Sequence, residues 1–178
     1  MRNKPNRIDW QLADGFYKIE IKDIAVMLEK NGVKILNASP AGSLRRKKRS
    51  IGDLDIVIEV DDPELAGQLL EEHMNYNYCS KNSFYKGSIH GKTIDLFIAG
   101  KHNFYAMLFF LTGSEDWNLK IMKHLTANTE IRYSAFKFKN IKTKETYRFN
   151  SEEEIFELIK HSYILPEKRN PQNVEFGE

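Results

Sequence analysis

Apolar positions recur along the chain with two different periods, and each change of period marks a change of element. From Trp10 to Lys30 the apolar residues come every three or four positions, which predicts an amphipathic helix that ends at Asn31-Gly32. From Asp53 to Val60 the period is two, which predicts a strand. Further predictions are a strand over 33–38, a short helix capped by Ser43, a helix over 63–74, and a hairpin of 84–89 with 92–99 around His90-Gly91.

The second half of the chain has a more mixed pattern. It predicts helices over 103–111 and 114–126, short strands within 132–149 around a turn at 139–144, and a helix from 151 to 161 that begins with a capping box. Gly100 is the best boundary, giving domains over 1–99 and 100–178. The predicted fold class is α+β, with a mixed sheet and flanking helices followed by a small α+β C-terminal subdomain.

Composition narrows the functional classes. The chain has 178 residues, 41% of them hydrophobic and 29% charged, which is typical of a soluble globular protein. Its net charge of +2 means that contacts with nucleic acid must come from local patches. The one cysteine, Cys79, excludes an internal disulfide, and no apolar run is long enough for a membrane span. We expect a cytoplasmic protein, or one of the host cytoplasm if it is viral, without a membrane partner.

Three aspartates interrupt otherwise aliphatic strands. Asp53 and Asp55 are two positions apart and project from one side of their predicted strand, and Asp95 holds an equivalent place in "TIDLFIAG". Aspartates on the wet face of a strand are often only solubilising, but aspartate is a poor strand former. If the two strands are neighbours, the carboxylates converge and suit two Mg²⁺ ions about 3.5–4 Å apart, as used in phosphoryl transfer.

The segment before the first two aspartates has the opposite charge. A turn at Gly42-Ser43 exposes backbone N–H groups at the start of a predicted helix, and such groups bind anions. Arg45 and Arg46 add guanidinium groups that match phosphate oxygens. Anion donors beside metal-binding carboxylates indicate a nucleoside triphosphate site.

"GSLRR" followed by "GDLDIVI" resembles the nucleotidyltransferase signature of family X DNA polymerases, the DNA polymerase beta group. "FYAMLFFLTGSEDWN" is similar to the helix–T-G-S–helix segment of that family, and "SEEEIFELIKHSYILPEKRN" resembles its C-terminal ending. The resemblance covers residues from about 33 to 170. It implies a polymerase palm with a small thumb-like subdomain.

The resemblance also implies roles for individual residues. Asp53 and Asp55 would bridge two metals, and Asp95 would bind the catalytic metal and help take the proton from the primer 3′-hydroxyl. The nucleotide-binding residues that it implies are Gly42, Ser43, Arg46, Gly52, Phe110, Thr112, Gly113 and Asn118. Mg²⁺ is the expected cofactor, as two ions for which Mn²⁺ substitutes.

The implied activity is template-directed DNA synthesis from deoxynucleoside triphosphates on primer-template or gapped DNA, in short-gap repair, by a monomer. Since 32 residues precede Val33, we expect neither the lyase domain nor the helix-hairpin-helix segment of larger relatives. Phe110-Leu111 replaces the Tyr-Phe of many relatives, which leaves ribose discrimination open. A template-independent enzyme, one acting on RNA or a small molecule, and a non-catalytic nucleic-acid-binding module remain alternatives.

Clusters of basic residues are the candidates for contacts with DNA phosphates. Lys47, Lys48 and Arg49 adjoin the predicted triphosphate site. Lys137 and Lys139 lie in the late predicted hairpin, where a solvated hairpin is an equally good interpretation. We predict that these five residues bind DNA.

Overall fold

The computed structural model describes residues 7–80, 84–100, 102–134 and 136–176. Nine strands and six helices follow one another in these ranges. In chain order they are β1 (Ile8–Asp9), α1 (Trp10–Lys30), β2 (Ile35–Pro40), α2 (Gly42–Arg45), β3 (Ser50–Ile51), β4 (Leu54–Val60), α3 (Pro63–His73), β5 (Asn77–Ser80), β6 (Phe84–Ile89), β7 (Lys92–Ala99), α4 (Phe104–Thr112), α5 (Glu115–Asn128), β8 (Ile131–Ser134), β9 (Lys137–Asn140) and α6 (Glu152–Leu158). Two 3₁₀ turns, Pro166–Lys168 and Pro171–Asn173, lie in the C-terminal tail.

The central sheet has five strands in the order β2-β4-β7-β6-β5. Strands β4 and β7 run parallel, and the other neighbouring pairs are antiparallel. The parallel register sets Asp55 opposite Asp95. This pairing brings together two carboxylates that are 40 residues apart in sequence.

The two faces of the central sheet have different partners. Leu54, Ile56 and Ile58 of β4 project to one face and pack in a buried core with side chains of α1 and α3. Asp55 and Val57 project to the opposite face, where Val57 packs in a second buried cluster with α4. The period of two in β4 thus separates the core from the candidate site, as the sequence predicts.

The C-terminal region has its own core of aromatic side chains. Phe109, Trp117, Phe138 and Phe156 are almost fully buried there, and they come from α4, α5, β9 and α6. Helix α4 also contacts the central sheet through Phe104, Met107 and Leu108, so it is buried on two sides. The α+β fold class is confirmed, while the division at residue 99 stays a prediction.

The local predictions have mixed outcomes. Helix α1 and the β6–β7 hairpin have the predicted bounds. Ser43 is not an N-cap, because the cap of α2 is Ala41, with no side-chain cap hydrogen bond, and α2 ends at Arg45. Strand β5 is missed by the pattern, and the last helix ends at Leu158 instead of 161. The late hairpin turns before Lys137, and a second turn follows Asn140.

No helix among the described residues is both long enough and apolar enough to cross a lipid bilayer.

Candidate active site

The three aspartates lie at one end of the β4–β7 pair. Asp55 and Asp95 occupy paired positions on these strands, and Asp53 immediately precedes β4. Asp53 is exposed, whereas the Asp95 side chain is 17% exposed. The structure therefore places the three predicted carboxylates close together, with Asp55 in the centre.

The electrostatics of Asp55 show how unfavourable this cluster is without a cation. Burial, and then the negative charges of Asp53 and Asp95, raise the pKa of Asp55 to about 7. Arg46 and Lys86 oppose that rise but do not cancel it. A carboxyl group with such a pKa holds its proton at pH values where an ordinary aspartate is ionised. Additional positive charge would therefore stabilise the ionised cluster.

The donor set fits a hard divalent cation, because it offers carboxylate oxygens with excess negative charge. Among the described residues, however, no three His, Cys, Asp or Glu side chains are arranged as ligands of one metal ion. At Asp95 the structure shows a competing contact, since Lys86 Nζ lies 2.5 Å from Oδ1. The ligand types are appropriate for Mg²⁺, and one of the carboxylates is engaged by an ammonium group.

Gly42 connects the predicted anion-binding segment to the carboxylates. The backbone N–H of Ala41 donates to the carbonyl of Asp55 at 2.8 Å, which fixes the start of α2 against β4. Gly42 has φ +52°, and a Cβ at this position would lie 1.8 Å from Asp55 Oδ2. Both the backbone conformation and the close approach require glycine here. Ser43, the next residue of α2, is half-buried.

The two arginines at the end of α2, Arg45 and its C-cap Arg46, have different partners, and the prediction that both face phosphate is wrong for Arg45. The Arg45 guanidinium donates to Glu152 and, at 2.7 Å, to Thr112 Oγ1. These partners are side chains of the C-terminal region, so this guanidinium is already occupied by the protein. Arg45 is a link between the two halves of the chain.

Arg46 lies between the carboxylates and the T-G-S turn, which is formed by residues 112–114. Its Nη1 donates to the carbonyls of Thr112 and Gly113 at 2.6 and 3.1 Å. Burial lowers the pKa of Arg46, although Asp55 opposes that effect, and its Nε is buried without a hydrogen-bond partner. This donor is buried and unpaired among the described residues, and the charge of the same guanidinium also acts on Asp55.

The T-G-S turn and the start of α5 form the other wall. Thr112 is fully buried, and Asn118 Nδ2 donates to the carbonyl of Phe110 at 2.8 Å. Asn118 Oδ1 is buried without a partner, and a Cβ at Gly113 would lie 2.5 Å from that oxygen. Of the predicted residues, Asn118 thus contacts Phe110 and Gly113, and Thr112 and Gly113 contact Arg46.

A buried ion triad, absent from the sequence predictions, fixes the C-terminal region to helix α2. Arg169 is 1% exposed and donates to both carboxylate oxygens of Glu152, at 2.7 and 3.1 Å. Arg45 bonds the same carboxylate from α2. Although burial alone would raise the pKa of Glu152, hydrogen bonds and charges from Arg45 and Arg169 lower it overall. The sequence contained one signal for this triad. Arg169 is part of the C-terminal segment that resembles the family's ending, but the sequence analysis assigned it no partner.

The predicted DNA-binding residues are all exposed, at two separate places. Lys47, Lys48 and Arg49 follow α2, and Lys47 forms an ion pair with Glu167 of the tail at 2.5 Å. Lys137 and Lys139 lie on β9, on either side of the buried Phe138. The structure brings the first group near the site, whereas the second group lies on the β8–β9 hairpin.

Gly52, the remaining predicted nucleotide-binding residue, is held through its carbonyl. The ammonium group of Lys92, a residue only 4% exposed, donates to the Gly52 carbonyl at 3.2 Å. Lys92 was missed because the alternation of β7 predicts an apolar residue at its position. Its contact fixes the backbone just before Asp53.

Comparison with known proteins gives two matches. The family model of the DNA polymerase beta thumb matches residues 107–170. The DNA polymerase/3′-5′ exonuclease PolX of Bacillus subtilis (strain 168) is 30% identical over 147 residues, which is 79% of this chain and 26% of that protein. The chain thus spans about a quarter of the length of this curated relative. Together with the fold, these matches identify the chain as a family X DNA polymerase-like protein.

Proposed function

We propose that this chain is a template-directed DNA polymerase that adds deoxynucleotides to a primer 3′-hydroxyl. The observation that carries the proposal is the paired position of Asp55 and Asp95 beside Gly42, with the pKa of Asp55 raised to about 7 by burial and its acidic neighbours. This cluster needs cations, and the adjoining backbone and Arg46 offer donors to an anion. A metal–triphosphate complex supplies cations to the carboxylates, and its phosphate oxygens accept hydrogen bonds from these donors.

Each residue would have a defined task in this reaction. Asp53, Asp55 and Asp95 would hold two Mg²⁺ ions, which supply charge stabilisation for in-line phosphoryl transfer. Asp95 would accept the proton of the primer 3′-hydroxyl. The 3′-oxygen then bonds to the α-phosphorus, the bond from that phosphorus to the β-phosphate oxygen breaks, and pyrophosphate leaves.

The nucleotide would lie between α2 and the T-G-S turn. Gly42 and Ser43 present backbone N–H groups at the start of α2, and Arg46 adds a guanidinium whose Nε has no partner in the described parts of the protein. Phe110, Thr112 and Gly113 would contact the sugar, and Asn118 the base. Lys47, Lys48, Arg49, Lys137 and Lys139 would contact the DNA backbone, and we propose that short gaps are the preferred substrate.

The decisive experiment measures single-nucleotide incorporation on duplex DNA with a one-nucleotide gap, at saturating Mg²⁺. The wild-type protein should incorporate the nucleotide complementary to the template. Asp53→Asn, Asp55→Asn and Asp95→Asn should each reduce the rate by at least about a thousandfold, because each removes an ionised ligand while keeping its size. Asp23→Asn, an exposed aspartate on α1, is the matched control and should retain the wild-type rate.

The same assay without a template strand separates the alternatives. Equal extension of a single-stranded primer would show a template-independent nucleotidyltransferase. A complete lack of incorporation by the folded wild-type protein, with Mg²⁺ or Mn²⁺, would contradict the proposed activity. Near-wild-type incorporation by any of the three asparagine variants would remove that aspartate from the site.

A further inference from the structure

Lys86 contacts the candidate site from a strand that the proposed mechanism does not use. It lies on β6 directly opposite Asp95, and its Nζ is 2.5 Å from Asp95 Oδ1. Within the described parts of the chain, this is the only ion pair that involves one of the three aspartates. The Lys86 side chain is 48% exposed, so it has room to move away from the carboxylate.

An ammonium group and a divalent cation compete for the same carboxylate. Both are attracted by the negative charge of the cluster, and Lys86 also acts on Asp55, the central member. A metal ion that binds Asp95 through Oδ1 must first displace the ammonium group from that oxygen. The free energy of the ion pair is therefore subtracted from the free energy of metal binding.

The surroundings of Lys86 offer its ammonium group a second partner. Nζ lies 5.0 Å from the centre of the Phe84 ring, which is within the range of a cation–π contact. That ring stacks on Phe97, with centres 4.8 Å apart, and Phe97 is two positions after Asp95 on β7. Lys86 is thus held between a carboxylate and an aromatic face, and it retains the aromatic partner when the carboxylate is taken.

We propose that Lys86 is a built-in counter-ion that competes with the divalent metal for Asp95 and thereby sets the metal affinity of the cluster. The inference rests on the proposed function, because it assumes that the three aspartates bind a divalent ion. Lys86 is accordingly a residue that determines metal affinity without being a ligand. Because Lys86 competes for Asp95, a higher concentration of free divalent ion is needed to occupy the cluster.

The test measures Mn²⁺ binding to the protein without DNA or nucleotide, by the electron paramagnetic resonance signal of free Mn²⁺. Lys86→Gln and Lys86→Met should both bind Mn²⁺ more tightly than the wild-type protein at low salt, by up to about fivefold, the scale of a partly exposed ion pair. The difference should shrink as NaCl is raised, because salt screens the pair. Lys86→Arg retains the charge and should not bind more tightly than the wild-type protein.

Two controls make the result specific. Lys18→Gln removes a lysine that forms an ion pair with Asp14 on α1, at 2.6 Å, and should leave Mn²⁺ binding unchanged. In an Asp95→Asn background, Lys86→Gln should have a smaller effect than in the wild-type protein, because the direct partner has lost its charge and only the action of Lys86 on Asp55 remains.

The outcomes separate this inference from the proposed function. Wild-type Mn²⁺ binding that depends on Asp55, but that Lys86→Gln leaves unchanged or weakens, overturns the role of Lys86 alone. Equal tightening by Lys18→Gln also overturns it, since the effect is then one of net charge. No Mn²⁺ binding that depends on Asp55, in the wild-type protein or in Lys86→Gln, overturns the proposed function and this inference with it.

Discussion

Two clusters of charged side chains lie on either side of the T-G-S turn. They differ in how many cations contact each carboxylate. In the first, one carboxylate, Glu152, receives hydrogen bonds from two guanidinium groups, those of Arg45 and Arg169. In the second, three aspartates share one contacting cation, Lys86. In the first cluster the carboxylate is fully paired with cations of the protein itself, and the second has excess negative charge that its described neighbours do not neutralise.

The pKa shifts show what this difference means. The pKa of Glu152 is lowered although the group is buried, whereas the pKa of Asp55 is raised to about 7. Burial acts in the same direction on both groups, so the opposite outcomes come from their neighbours. A cluster whose charges are matched inside the protein serves to hold the structure together. A cluster with excess negative charge, such as the three aspartates, is suited to binding cations.

The largest effect is expected from breaking the balanced cluster. Glu152→Ala leaves two guanidinium groups, one of them only 1% exposed, without their carboxylate. Removal of one partner from a buried ion pair costs about 3–5 kcal/mol. Urea denaturation at pH 7 should show this loss, whereas Glu153→Ala, an exposed neighbour on α6, should change stability by less than about 0.5 kcal/mol.

The pH dependence of Glu152 gives the sign of its contribution. Because its folded pKa is lowered, its stabilisation is present above the ordinary glutamate pKa and is lost as the pH falls through the folded value. The difference between wild-type and Glu152→Ala proteins should therefore narrow in acid. A constant difference down to about pH 3 would mean that ionisation of Glu152 is not the source of the stabilisation.

The unbalanced cluster predicts an effect of opposite sign. In the unfolded chain Asp55 loses its proton near the ordinary aspartate pKa of 3.8, but in the folded protein it does so at about 7. Between these values the folded state binds more protons, so stability falls as the pH rises. At pH 8 without divalent ions, Asp55→Asn should be more stable than the wild-type protein by up to about 4 kcal/mol.

The difference in stability between Asp55→Asn and wild-type proteins should nearly vanish at pH 4. At pH 8, Mn²⁺ should narrow this difference, because it binds only the wild-type cluster. Thermal or urea unfolding at both pH values measures this. Asp23→Asn controls for the loss of an exposed carboxylate. A destabilised Asp55→Asn protein at pH 8 would contradict the raised pKa, and would show that the protein already compensates this cluster.

The sequence predicts the unbalanced cluster well and the balanced one poorly. Asp53 and Asp55 could be placed on one face because a strand has a period of two, and Asp95 followed because "TIDLFIAG" repeats that alternation. Their pairing across β4 and β7 needed only that the strands be neighbours. The triad, by contrast, joins residues 107 positions apart, and no local period relates Arg45 to Glu152.

Some missed contacts had a signal that could have been used. The hairpin around His90-Gly91 was predicted, and both turn residues have positive φ, at 48° and 74°, as a two-residue hairpin turn requires. Counting outward from that turn places Lys86 opposite Asp95, so the pair follows from the register. Lys92 had no such signal, because a buried lysine is decided by its tertiary partner, the Gly52 carbonyl.

A smaller effect is expected at the boundary between the two clusters. Arg46 bonds the carbonyls of Thr112 and Gly113, yet its Nε has no partner among the described residues. If a triphosphate completes this set, Arg46→Ala should lose about 1.5–3 kcal/mol of nucleotide binding, the scale of a charged hydrogen bond. Single-turnover kinetics should then show an apparent nucleotide Kd raised roughly tenfold to a hundredfold.

Arg46→Lys retains the charge without the guanidinium geometry. Its apparent nucleotide Kd should fall between those of the wild-type and Arg46→Ala proteins. A normal nucleotide Kd in Arg46→Ala, together with lowered stability, would assign Arg46 to the structural cluster instead.

The smallest effects should come from exposed cations, where the contrast between matched and unmatched charge applies again. Lys142 pairs with Glu130 at 2.9 Å, whereas Lys137 and Lys139 form no ion pair with any acid among the described residues. The last two project from the same side of β9, because the buried Phe138 lies between them. Unmatched cations on one surface are better suited to DNA phosphates than a lysine that already has a partner.

A substitution that removes one phosphate interaction should reduce the slope of log K against log salt concentration by about one. We expect that reduction for Lys137→Ala and for Lys139→Ala, measured by fluorescence anisotropy with labelled gapped DNA from about 25 to 200 mM salt. Lys142→Ala should leave the slope nearly unchanged, because DNA would have to displace Glu130 first. If all three variants retain the wild-type slope, the β8–β9 hairpin does not touch DNA, and its lysines serve only to keep the surface hydrated.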